Sequence, residues 1–462
     1  MGRWMSSASE LQKPDYASPA YSWYVVIVLT IIYVFSYIDR QILSLMVSDL
    51  KTGLNLQYDW QVGFLMGPAF AIFYTLFGIP FGRLADRVNR KGLIAIGLTI
   101  WSLTTAACGF AKTFMTMALL RVGVGTGEAA LSPSAYSIIA DYFPPKRVAR
   151  AIAFYGMGIY LGGGLAYLIG GRVVAMVRQT EPWVLPGIGT IEPWQIVFLI
   201  VGLPGLLLLP VLWLTVREPV RKGLLKTGKK SGAAVPLREA LAYLKTQWRT
   251  IATHNIGFAL LAFSSYGTSA WLPEVFKRVH GWGAADFGLV YGAIVIVCGS
   301  AGVLSGGFFA DWLSQRGYAD AKIRVGFIAA WIWFPTGIAF PLLASDWLAM
   351  LLVVPTVFFA AMPFGVAPAA IAELMPNNLR GQTSAIYLFV INMIGLAIGP
   401  LVLALMTDYV FDLARFGEAG IRYSLLTTTA IAHLGATILL WRCMRLFRQS
   451  LAARAEILFC IM

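Results

Sequence analysis

Four charged residues lie within stretches of the chain that otherwise have the composition of apolar helices. Asp39 and Arg40 are followed directly by the apolar run 42–47, and Arg121 and Glu128 lie in a glycine-rich apolar stretch. A charge at the centre of a membrane-spanning helix costs on the order of 2.5–3.5 kcal/mol on insertion scales, and such charges usually line a path for a solute or an ion. The four residues therefore predict a transport path through a bundle of helices.

Arg121 and Glu128 are seven residues apart, so they lie on one face of a helix, two turns from each other. Gly123, Gly125 and Gly127 between them allow neighbouring helices to approach closely. Because a carboxyl group removed from water tends to keep its proton near neutral pH, Glu128 is our candidate for a proton site. The alternative is that Arg121 and Glu128 form a buried ion pair that only fixes helix packing.

Asp39 and Arg40 are adjacent, about 100° apart around a helix, so they cannot both point squarely in one direction. We predict that both line a cavity, with Asp39 as a second candidate for carrying a proton. Arg40 and Arg121 would then hold an anionic group of the substrate, or pair with the carboxylates when the site is empty. The alternative is that Asp39 and Arg40 pair with each other near the end of the helix.

Composition places these residues in a helical membrane protein. Of the 462 residues, 58% are hydrophobic and only 13% are charged, whereas soluble domains carry roughly 25% charged residues. A spanning helix needs about 20 mostly apolar residues. We therefore predict an all-α fold with twelve membrane-spanning helices, which begin near Trp23, Val62, Leu93, Thr113, Ala149, Trp194, Ile251, Phe287, Lys322, Trp347, Gln382 and Ile421.

The basic residues are distributed unevenly along the chain. The net charge is +14, and the strongly basic stretches are 83–91, 146–150, 217–249 and 442–454. If twelve helices alternate in direction, all four stretches lie on one side together with both termini, and basic loops stay on the cytoplasmic side. The absence of Asn-x-Ser/Thr sequons favours a bacterial inner membrane. We expect the positive charge to contact anionic membrane lipids, not nucleic acid.

The two halves of the sequence repeat each other. Gly82–Asp86 is matched by Gly307–Asp311, and Asp141–Pro144 is matched by Glu373–Pro376 at nearly the same offset. Such repeats predict a duplicated six-helix unit. The predicted divisions are an N-terminal segment 1–20, a first bundle 21–216, a basic linker 217–249 with an amphipathic surface helix after Pro236, a second bundle 250–448 and a tail 449–462.

The stretch Gly82–Lys91, with the sequence GRLADRVNRK, reads as a tight turn between two helices. This decapeptide closely resembles the loop signature of the major facilitator superfamily, and Gly307–Asp311 resembles a degenerate copy of it. The resemblance implies two six-helix bundles that rock about a midplane site. We expect a gate, closed in one conformation and open in another, at Gly82, Asp86, Arg87, Arg90 and Asp311. The alternative is a basic loop that only sets topology.

Shorter motifs narrow the resemblance. With Tyr37–Arg40 (YIDR), Gly127–Ala130 (GEAA) and the glycine-rich Gly158–Gly171, the chain resembles the spinster family over its whole length. That resemblance implies transport of a sphingolipid or lysophospholipid with proton coupling. Members of the superfamily mostly work as monomers, which implies a monomer here. Organic-anion transporters of the superfamily also carry an Asp-Arg pair in the first helix. A small organic anion or drug-like solute is therefore the alternative substrate.

The second half of the chain offers aromatic side chains where the first half offers charges. We expect the seventh, eighth, tenth and eleventh helices to carry no charged residue inside, so the cavity would be polar on one side and apolar on the other. Such a cavity suits an amphipathic solute, although many of these aromatic residues could instead face lipid. Besides Arg40 and Arg121, the candidate substrate contacts are Tyr37, Tyr266, Tyr387 and Asn392.

Other classes of function have no motif in the sequence. No His-Glu-x-x-His, Gly-x-Ser-x-Gly or clustered Cys/His pattern occurs, so we expect neither an enzyme nor a bound metal or cofactor. Gly223–Lys230 nearly spells a phosphate loop, but Lys230 stands where Ser or Thr is required. Secondary transport is therefore favoured over transport driven by ATP. A ligand sensor without flux is a further alternative, although the linker is short for an output domain.

Overall fold

The computed structural model describes residues 16–186, 189–221, 244–375 and 379–461. Ten helical segments in these ranges are long and apolar enough to cross a membrane. Two more long helical stretches pack among them: Phe114–Glu128 with Leu131–Tyr142, and Trp248–His280. Together they form twelve spans, numbered here in chain order, and each begins within about one helical turn of its predicted start. The predicted all-α architecture of twelve spans is confirmed.

The first half contains spans 1 to 6 and two small connecting elements. The spans are Pro19–Gln41 with a 3₁₀ turn Ile42–Leu45, Asp59–Met66 with Pro68–Ala85, Arg90–Cys108, Phe114–Glu128 with Leu131–Tyr142, Pro145–Gly156 with Gly158–Val177, and Pro193–Leu206 with Leu208–Thr215. The connecting elements are a short helix Val47–Gly53 and an antiparallel hairpin of β1 (Trp183–Leu185) and β2 (Gly189–Ile191).

The second half contains spans 7 to 12, and two of its spans include a π-helical segment. The spans are Trp248–His280, Ala284–Ile294 with π segment Val295–Gly299 and Ser300–Gln315, Ala321–Ala339 with a 3₁₀ turn Phe340–Leu342, Asp346–Leu374, Arg380–Ile391 with π segment Asn392–Ile398 and Gly399–Tyr409, and Gly420–Ile461. Short helical pieces Leu413–Phe416 and Gly417–Ala419 precede the last span.

Local sequence explains where several spans begin and end. The Asn89 side chain accepts a hydrogen bond from the Gly92 amide at 2.8 Å and so caps the start of span 3. Thr113 caps span 4 in the same way. Span 7 ends at Gly281, whose φ of 71° lies in the left-handed region that glycine adopts without strain. At these three ends, residues of the helix termini specify where the span begins or ends.

The two halves touch through glycine-lined contacts between spans 5 and 8. Gly171 packs on the backbone of Ala284, and Gly164 packs on the backbone of Gly292. Two turns further along span 5, a Cβ on Gly156 would meet no atom within 4 Å. The close glycine contacts of span 5 therefore lie toward the end of the molecule opposite the basic loops.

Spans 2 and 11 show the same pattern. Gly63 packs against Pro400, and Gly67 packs against the backbone of Ala397, while a Cβ on Gly78 would meet no atom within 4 Å. We call the end with the basic loops the basic end and the opposite end the closed end. The halves are in contact through these glycines toward the closed end, and the glycines nearer the basic end have open space beside them.

Three of the expectations from the sequence fall wholly or partly outside the described residues. The surface helix after Pro236 and the segment Gly223–Lys230 lie in 222–243, and Pro376 of the second repeat is also outside the described ranges. The predicted division into two bundles, a linker and two terminal segments stays a prediction.

Candidate functional site

An ion pair between spans 1 and 4 lies in the core of the first half. Arg40 Nη2 donates to Glu128 Oε2 at 2.6 Å, and Ser36 Oγ donates to the same oxygen at 2.7 Å. Arg40 is 7% exposed and Glu128 is 2% exposed. Oε1 of Glu128 has no hydrogen-bond partner in the described part of the chain. This carboxylate therefore has one oxygen paired with Arg40 and one buried oxygen that accepts no hydrogen bond in the described part of the chain.

Arg121 does not contact Glu128, although both are buried on one helix as their spacing predicts. Arg121 Nε donates to the backbone oxygen of Leu65 at 3.3 Å, and its Nη1 donates to the backbone oxygen of Asp39 at 3.5 Å. Arg121 Nη2 and Asp39 Oδ1 are both buried without a hydrogen-bond partner among the described residues. Neither the Arg121–Glu128 pair nor the Asp39–Arg40 pair is formed. Glu128 pairs instead with Arg40, which lies on another helix.

Aromatic rings surround the Arg40 guanidinium. Its central carbon lies 4.5 Å from the ring centres of Tyr37 and Phe70 and 5.0 Å from that of Tyr74. The Phe70 ring also faces Arg121, at 5.2 Å. A cation over an aromatic face is stabilised by about 2 kcal/mol when desolvated. The rings can therefore keep Arg40 in place even when Glu128 releases it, and Phe70 lies against both guanidinium groups.

Glycines in span 4 bring Glu128 close to its neighbours. Gly125 packs on the backbone of Phe70, and Gly127 packs on the backbones of Gly97 and Trp101. A side chain at either position would push span 4 away from spans 2 and 3. The α-helix of span 4 stops at Glu128 and resumes at Leu131. The predicted role of these glycines in close helix approach is confirmed.

A central cavity of about 130 Å³ lies between the two halves, with Arg40 in its wall. This volume holds about four water molecules. Arg40 is the single charged residue among the described residues that line it. The first half also contributes Tyr37, Gln41, Tyr160 and Tyr167. The second half contributes hydroxyl groups as well as apolar groups, from Ser265, Tyr266, Thr268, Ser269, Tyr291, Trp333, Thr356, Val357, Phe364 and Leu396.

The remaining predicted substrate contacts divide into two groups. Tyr37 and Tyr266 line the cavity beside Arg40. Tyr387 lies elsewhere in the second half, with its ring 5.6 Å from that of His254, and Asn392 begins the π segment of span 11 without being part of the cavity wall. The sequence could not separate these tyrosines, because both lie in apolar helices at positions of similar composition.

The predicted gate residues lie at the basic end. Arg90 is 1% exposed and donates to Asp141 at 2.5 Å and to Glu218 at 2.7 Å, so it ties span 3 to span 4 and to the residues after span 6. These partners all belong to the first half. Gly82 lies nearest to Pro133, also in the first half, and the side chains of three further residues are exposed: Asp86, Arg87 and Asp311. Their role as a gate stays a prediction.

A network of charged side chains joins the halves at the closed end, and the sequence analysis missed it. Arg278 of span 7 donates to both carboxylate oxygens of Asp59 in span 2, at 2.6 and 2.9 Å, and to Glu274 at 2.7 Å. Lys51 donates to Asp59 at 2.6 Å. We call these four residues the ionic lock. No spacing rule links Asp59 to Arg278, because they are far apart in sequence and read as ordinary charges at helix ends.

Asp408 at the end of span 11 supports the ionic lock. Its carboxylate accepts hydrogen bonds from the backbone amides of Asp59 at 2.9 Å and Trp60 at 2.7 Å, the first two residues of span 2. An anion is favoured at a helix N-terminus, where amide groups lack partners. The expectation that spans 7, 8, 10 and 11 contain no charge is wrong. These helices extend beyond their apolar stretches to charged residues, which include Glu274, Arg278, Asp311, Glu373 and Asp408.

The buried histidines have packing roles in this conformation. His254 contacts the Asn255 side chain at 2.9 Å and the backbone oxygen of Ala367 at 3.1 Å. The His433 ring packs edge-on against Trp333, with 4.3 Å between ring centres. Within the ranges that the structure describes, no group of three His, Cys, Asp or Glu residues is arranged to hold a metal ion.

The sequence pattern of the Major Facilitator Superfamily matches residues 29–442. That stretch contains most of the chain, including the ion pair, the central cavity and the ionic lock. The chain belongs to the major facilitator superfamily. It is a superfamily member, and ten of its twelve spans are long and apolar enough by composition to cross a membrane. It is therefore an integral, multi-pass membrane protein and a transporter, not an enzyme. Its bacterial relatives place such a protein in the inner membrane.

Three known proteins are similar to this chain over most of its length. A bacterial homologue of the human lysosomal transporter Spinster, solved in an inward-facing and unoccupied conformation, is 29% identical with a TM-score of 0.81, over 94% of this chain and 99% of that one. An MFS-type efflux pump of Mycolicibacterium smegmatis is 27% identical over 97% of this chain and 99% of its own. A hexuronate transporter of Bacillus subtilis is 25% identical over 83% of this chain and 87% of its own.

Proposed function

We propose that this protein is a proton-coupled secondary transporter of an amphipathic anion of the lysophospholipid type. The observation that carries the proposal is the Arg40–Glu128 pair at the wall of the central cavity. Arg40 is the group that can bind an anion, and Glu128 is the group that occupies Arg40 when the cavity is empty. The resemblance to the spinster family, which implies a sphingolipid or lysophospholipid, supports a lipid-like substrate.

Coupling follows from competition for Arg40. While Glu128 is ionised, it neutralises the Arg40 guanidinium. An entering anion would then find no net positive charge and would be repelled by the nearby carboxylate. A proton on the buried Glu128 removes that charge and leaves Arg40 as an uncompensated cation, a state that costs about 3–5 kcal/mol in buried pairs. A substrate anion relieves this cost. Proton and anion therefore favour each other's binding, with Asp39 as a second carrier one residue from Arg40.

The dimensions of the cavity determine how an amphiphile would bind. The cavity of about 130 Å³ would take the head group of the substrate at Arg40. The chain would extend from Arg40 along the apolar side chains of the second half, which include Val357, Phe364 and Leu396. Apolar contact there contributes about 0.8 kcal/mol per buried methylene group. The charged wall and the apolar wall together favour a substrate with an anionic head and an apolar tail.

A small hydroxylated organic acid is the second candidate. The cavity wall of the second half presents the hydroxyl groups of Ser265, Thr268 and Ser269, which an acyl chain would not use. A relative that covers most of this chain is a hexuronate transporter. A sugar acid would place its carboxylate on Arg40 and its hydroxyl groups on these side chains.

We also propose the orientation and state of the molecule. With the basic end in the cytoplasm, the described conformation is open to the inside and closed to the outside, and the gate residues at Asp86, Arg87, Arg90 and Asp311 would close in the opposite state. Rocking of the two bundles about the cavity would exchange the two states. We expect a monomer to be sufficient, since the cavity and the ionic lock are both formed within one chain.

The proposal is tested by flux of labelled lysophosphatidate into proteoliposomes, with and without an imposed pH gradient. The protein is compared with Glu128→Gln and with Glu181→Gln, a matched change at an exposed carboxylate near the hairpin. We expect wild type and Glu181→Gln to respond to the gradient. Because glutamine resembles the protonated acid, Glu128→Gln should keep exchange of substrate for substrate and lose the response to the gradient.

Different results would separate the parts of the proposal. Full gradient dependence in Glu128→Gln would remove Glu128 from the proton path. Absence of lysophosphatidate flux in folded protein, together with uptake of glucuronate, would replace the lipid by the sugar acid as the substrate class. Flux that ignores the gradient in wild type would leave a facilitator, with Glu128 acting only on Arg40.

A further inference from the structure

A cluster of hydrogen bonds links the two halves on the side of the cavity that faces the closed end. Gln41 Nε2 of span 1 donates to Tyr167 Oη at 3.2 Å and to Ser269 Oγ at 3.0 Å. Tyr167 Oη of span 5 donates to the backbone oxygen of Ser269 in span 7 at 2.7 Å and lies 3.0 Å from its Oγ. We call Gln41, Tyr167 and Ser269 the inner clasp.

The inner clasp divides two spaces. All three residues line the central cavity, next to Arg40. Gln41 and Ser269 also line a smaller chamber together with Ser44 and Pro400, and Arg40 and Tyr266 line both spaces. The ionic lock at Asp59 and Arg278 lies beyond, so two barriers stand in series between the cavity and the closed end. A substrate that leaves toward the closed end has to separate the inner clasp first.

We propose that the inner clasp is the part of the site that selects the substrate, and that a hydroxyl group next to the substrate's anionic group opens it. This inference rests on the proposed function, because it assumes an anion on Arg40. Arg40 and Gln41 both line the cavity, so a group a few bonds from an anion bound at Arg40 can reach the amide of Gln41. A hydroxyl both donates and accepts, as Tyr167 and Ser269 do, so it can replace them as a partner of Gln41.

The physical reason is the difference between exchanging a hydrogen bond and losing one. A hydroxyl group of the substrate can accept from Gln41 and donate to Tyr167, so it replaces part of the hydrogen bonding to Ser269 that is lost as the halves separate. A substrate without the hydroxyl leaves buried polar groups unpaired in the opening state, which is far more costly than the net value of a hydrogen bond. Such an analogue should bind to Arg40 and still fail to be carried across.

The chemistry that the inner clasp selects is therefore an anionic group with a hydroxyl a few bonds away. A lysophospholipid with its free glycerol hydroxyl and a sugar acid both have this arrangement. An alkyl phosphate and a simple fatty acid lack it. The inference thus narrows the class of amphipathic anion to the hydroxylated members.

The first test measures the clasp without any substrate. Ser44→Cys places a thiol in the small chamber, and its modification by a water-soluble thiol reagent is followed by peptide mass spectrometry in Ser44→Cys, Ser44→Cys/Tyr167→Phe and Ser44→Cys/Ser264→Ala proteins. Ser264 lies on span 7, as Ser269 does. Its hydroxyl donates to Thr429 Oγ1 at 3.4 Å, and it is not part of the cavity wall. We expect Tyr167→Phe to raise the modification rate at least tenfold and Ser264→Ala to leave it unchanged. Equal rates in the two double variants would overturn the inner closure.

The second test compares lysophosphatidate with its 2-deoxy analogue, which lacks only the glycerol hydroxyl. In wild type we expect similar half-saturation for the two lipids and a maximal exchange rate at least tenfold higher for lysophosphatidate. In Tyr167→Phe the two rates should approach each other, while Ser264→Ala should keep the wild-type ratio. Equal maximal rates in wild type, or an unchanged ratio in Tyr167→Phe, would overturn selection by the clasp.

Failure of the proposed function would look different from failure of this inference. If wild type neither exchanges lysophosphatidate nor is inhibited by it, the lipid class is wrong, and the same pair of measurements with glucuronate and its deoxy analogues decides whether the clasp selects hydroxyl groups. If lysophosphatidate is exchanged and the 2-deoxy analogue is exchanged equally fast, the proposed function stands and the clasp is not selective.

Discussion

Loss of Arg278 should shift the molecule toward opening at the closed end. Arg278 contributes three hydrogen bonds to two acidic residues, and Asp59 is only 2% exposed. Removing one partner of a buried pair costs about 3–5 kcal/mol. We take about 3 kcal/mol for Arg278→Gln, because Lys51 still neutralises Asp59 at 2.6 Å. This energy is present only while the closed end is closed, so the ratio of open to closed molecules should rise about a hundredfold.

The assay is a distance measurement across the closed end. Spin labels at Gln57→Cys and Leu413→Cys lie on exposed positions in opposite halves, both beside the ionic lock. Double electron–electron resonance should show one short distance in the parent protein and an added longer distance in Arg278→Gln. Lys277→Gln is the matched control, since Lys277 is the exposed neighbour of Arg278 on the same helix.

The reasoning would be refuted if Arg278→Gln and Lys277→Gln gave the same distance distribution at equal thermal stability. That result would mean that the ionic lock contributes equally to both states, as a feature of folding and not of the conformational change. A distribution that broadens without a second distance would indicate local loosening of the short helix near Lys51, not separation of the halves.

Three further outcomes are expected. Arg90→Gln should lower the melting temperature markedly, because Arg90 is buried between two carboxylates, while the exposed Arg87→Gln should not; thermal unfolding in detergent compares them. Gly288→Val should destabilise by about 1–3 kcal/mol through overpacking against the facing helix backbone, whereas Gly156→Ala should be neutral or stabilising in the same assay. Arg40→Lys should keep the charge but lose the flat stacking between rings and should raise the half-saturation for the anion in flux measurements at least tenfold.

Much of the fold follows from sequence because it depends on local properties. The twelve apolar stretches, the helix caps and the glycines of span 4 each act over one or two helical turns. Burial of Asp39, Arg40, Arg121 and Glu128 also follows, because charges inside apolar helices are kept only where they face the interior. The structure agrees with the sequence on all of these points.

The partners of these residues do not follow from the sequence. Spacing along one helix suggested Arg121 for Glu128, but the partner is Arg40 on another span, and Ser36 joins them without any motif. Asp59 and Arg278 meet only because spans 2 and 7 come together at the closed end. These pairings depend on the rotation of each helix about its axis and on how the halves meet, which a single sequence does not specify.

The glycine-lined contacts between spans 5 and 8 and between spans 2 and 11 form surfaces that offer little resistance to relative motion of the two halves. At Gly164 and Gly292 the backbones of spans 5 and 8 pack directly on each other, and the Ile296 side chain of span 8 also lies against Gly164. Each atom pair there contributes only about 0.1–0.2 kcal/mol, and as the halves roll, pairs lost on one side are replaced on the other. The rate of the transport cycle should therefore be governed by a few polar groups at the two ends of the molecule. Single hydrogen bonds would then limit the rate of a motion that involves the whole protein.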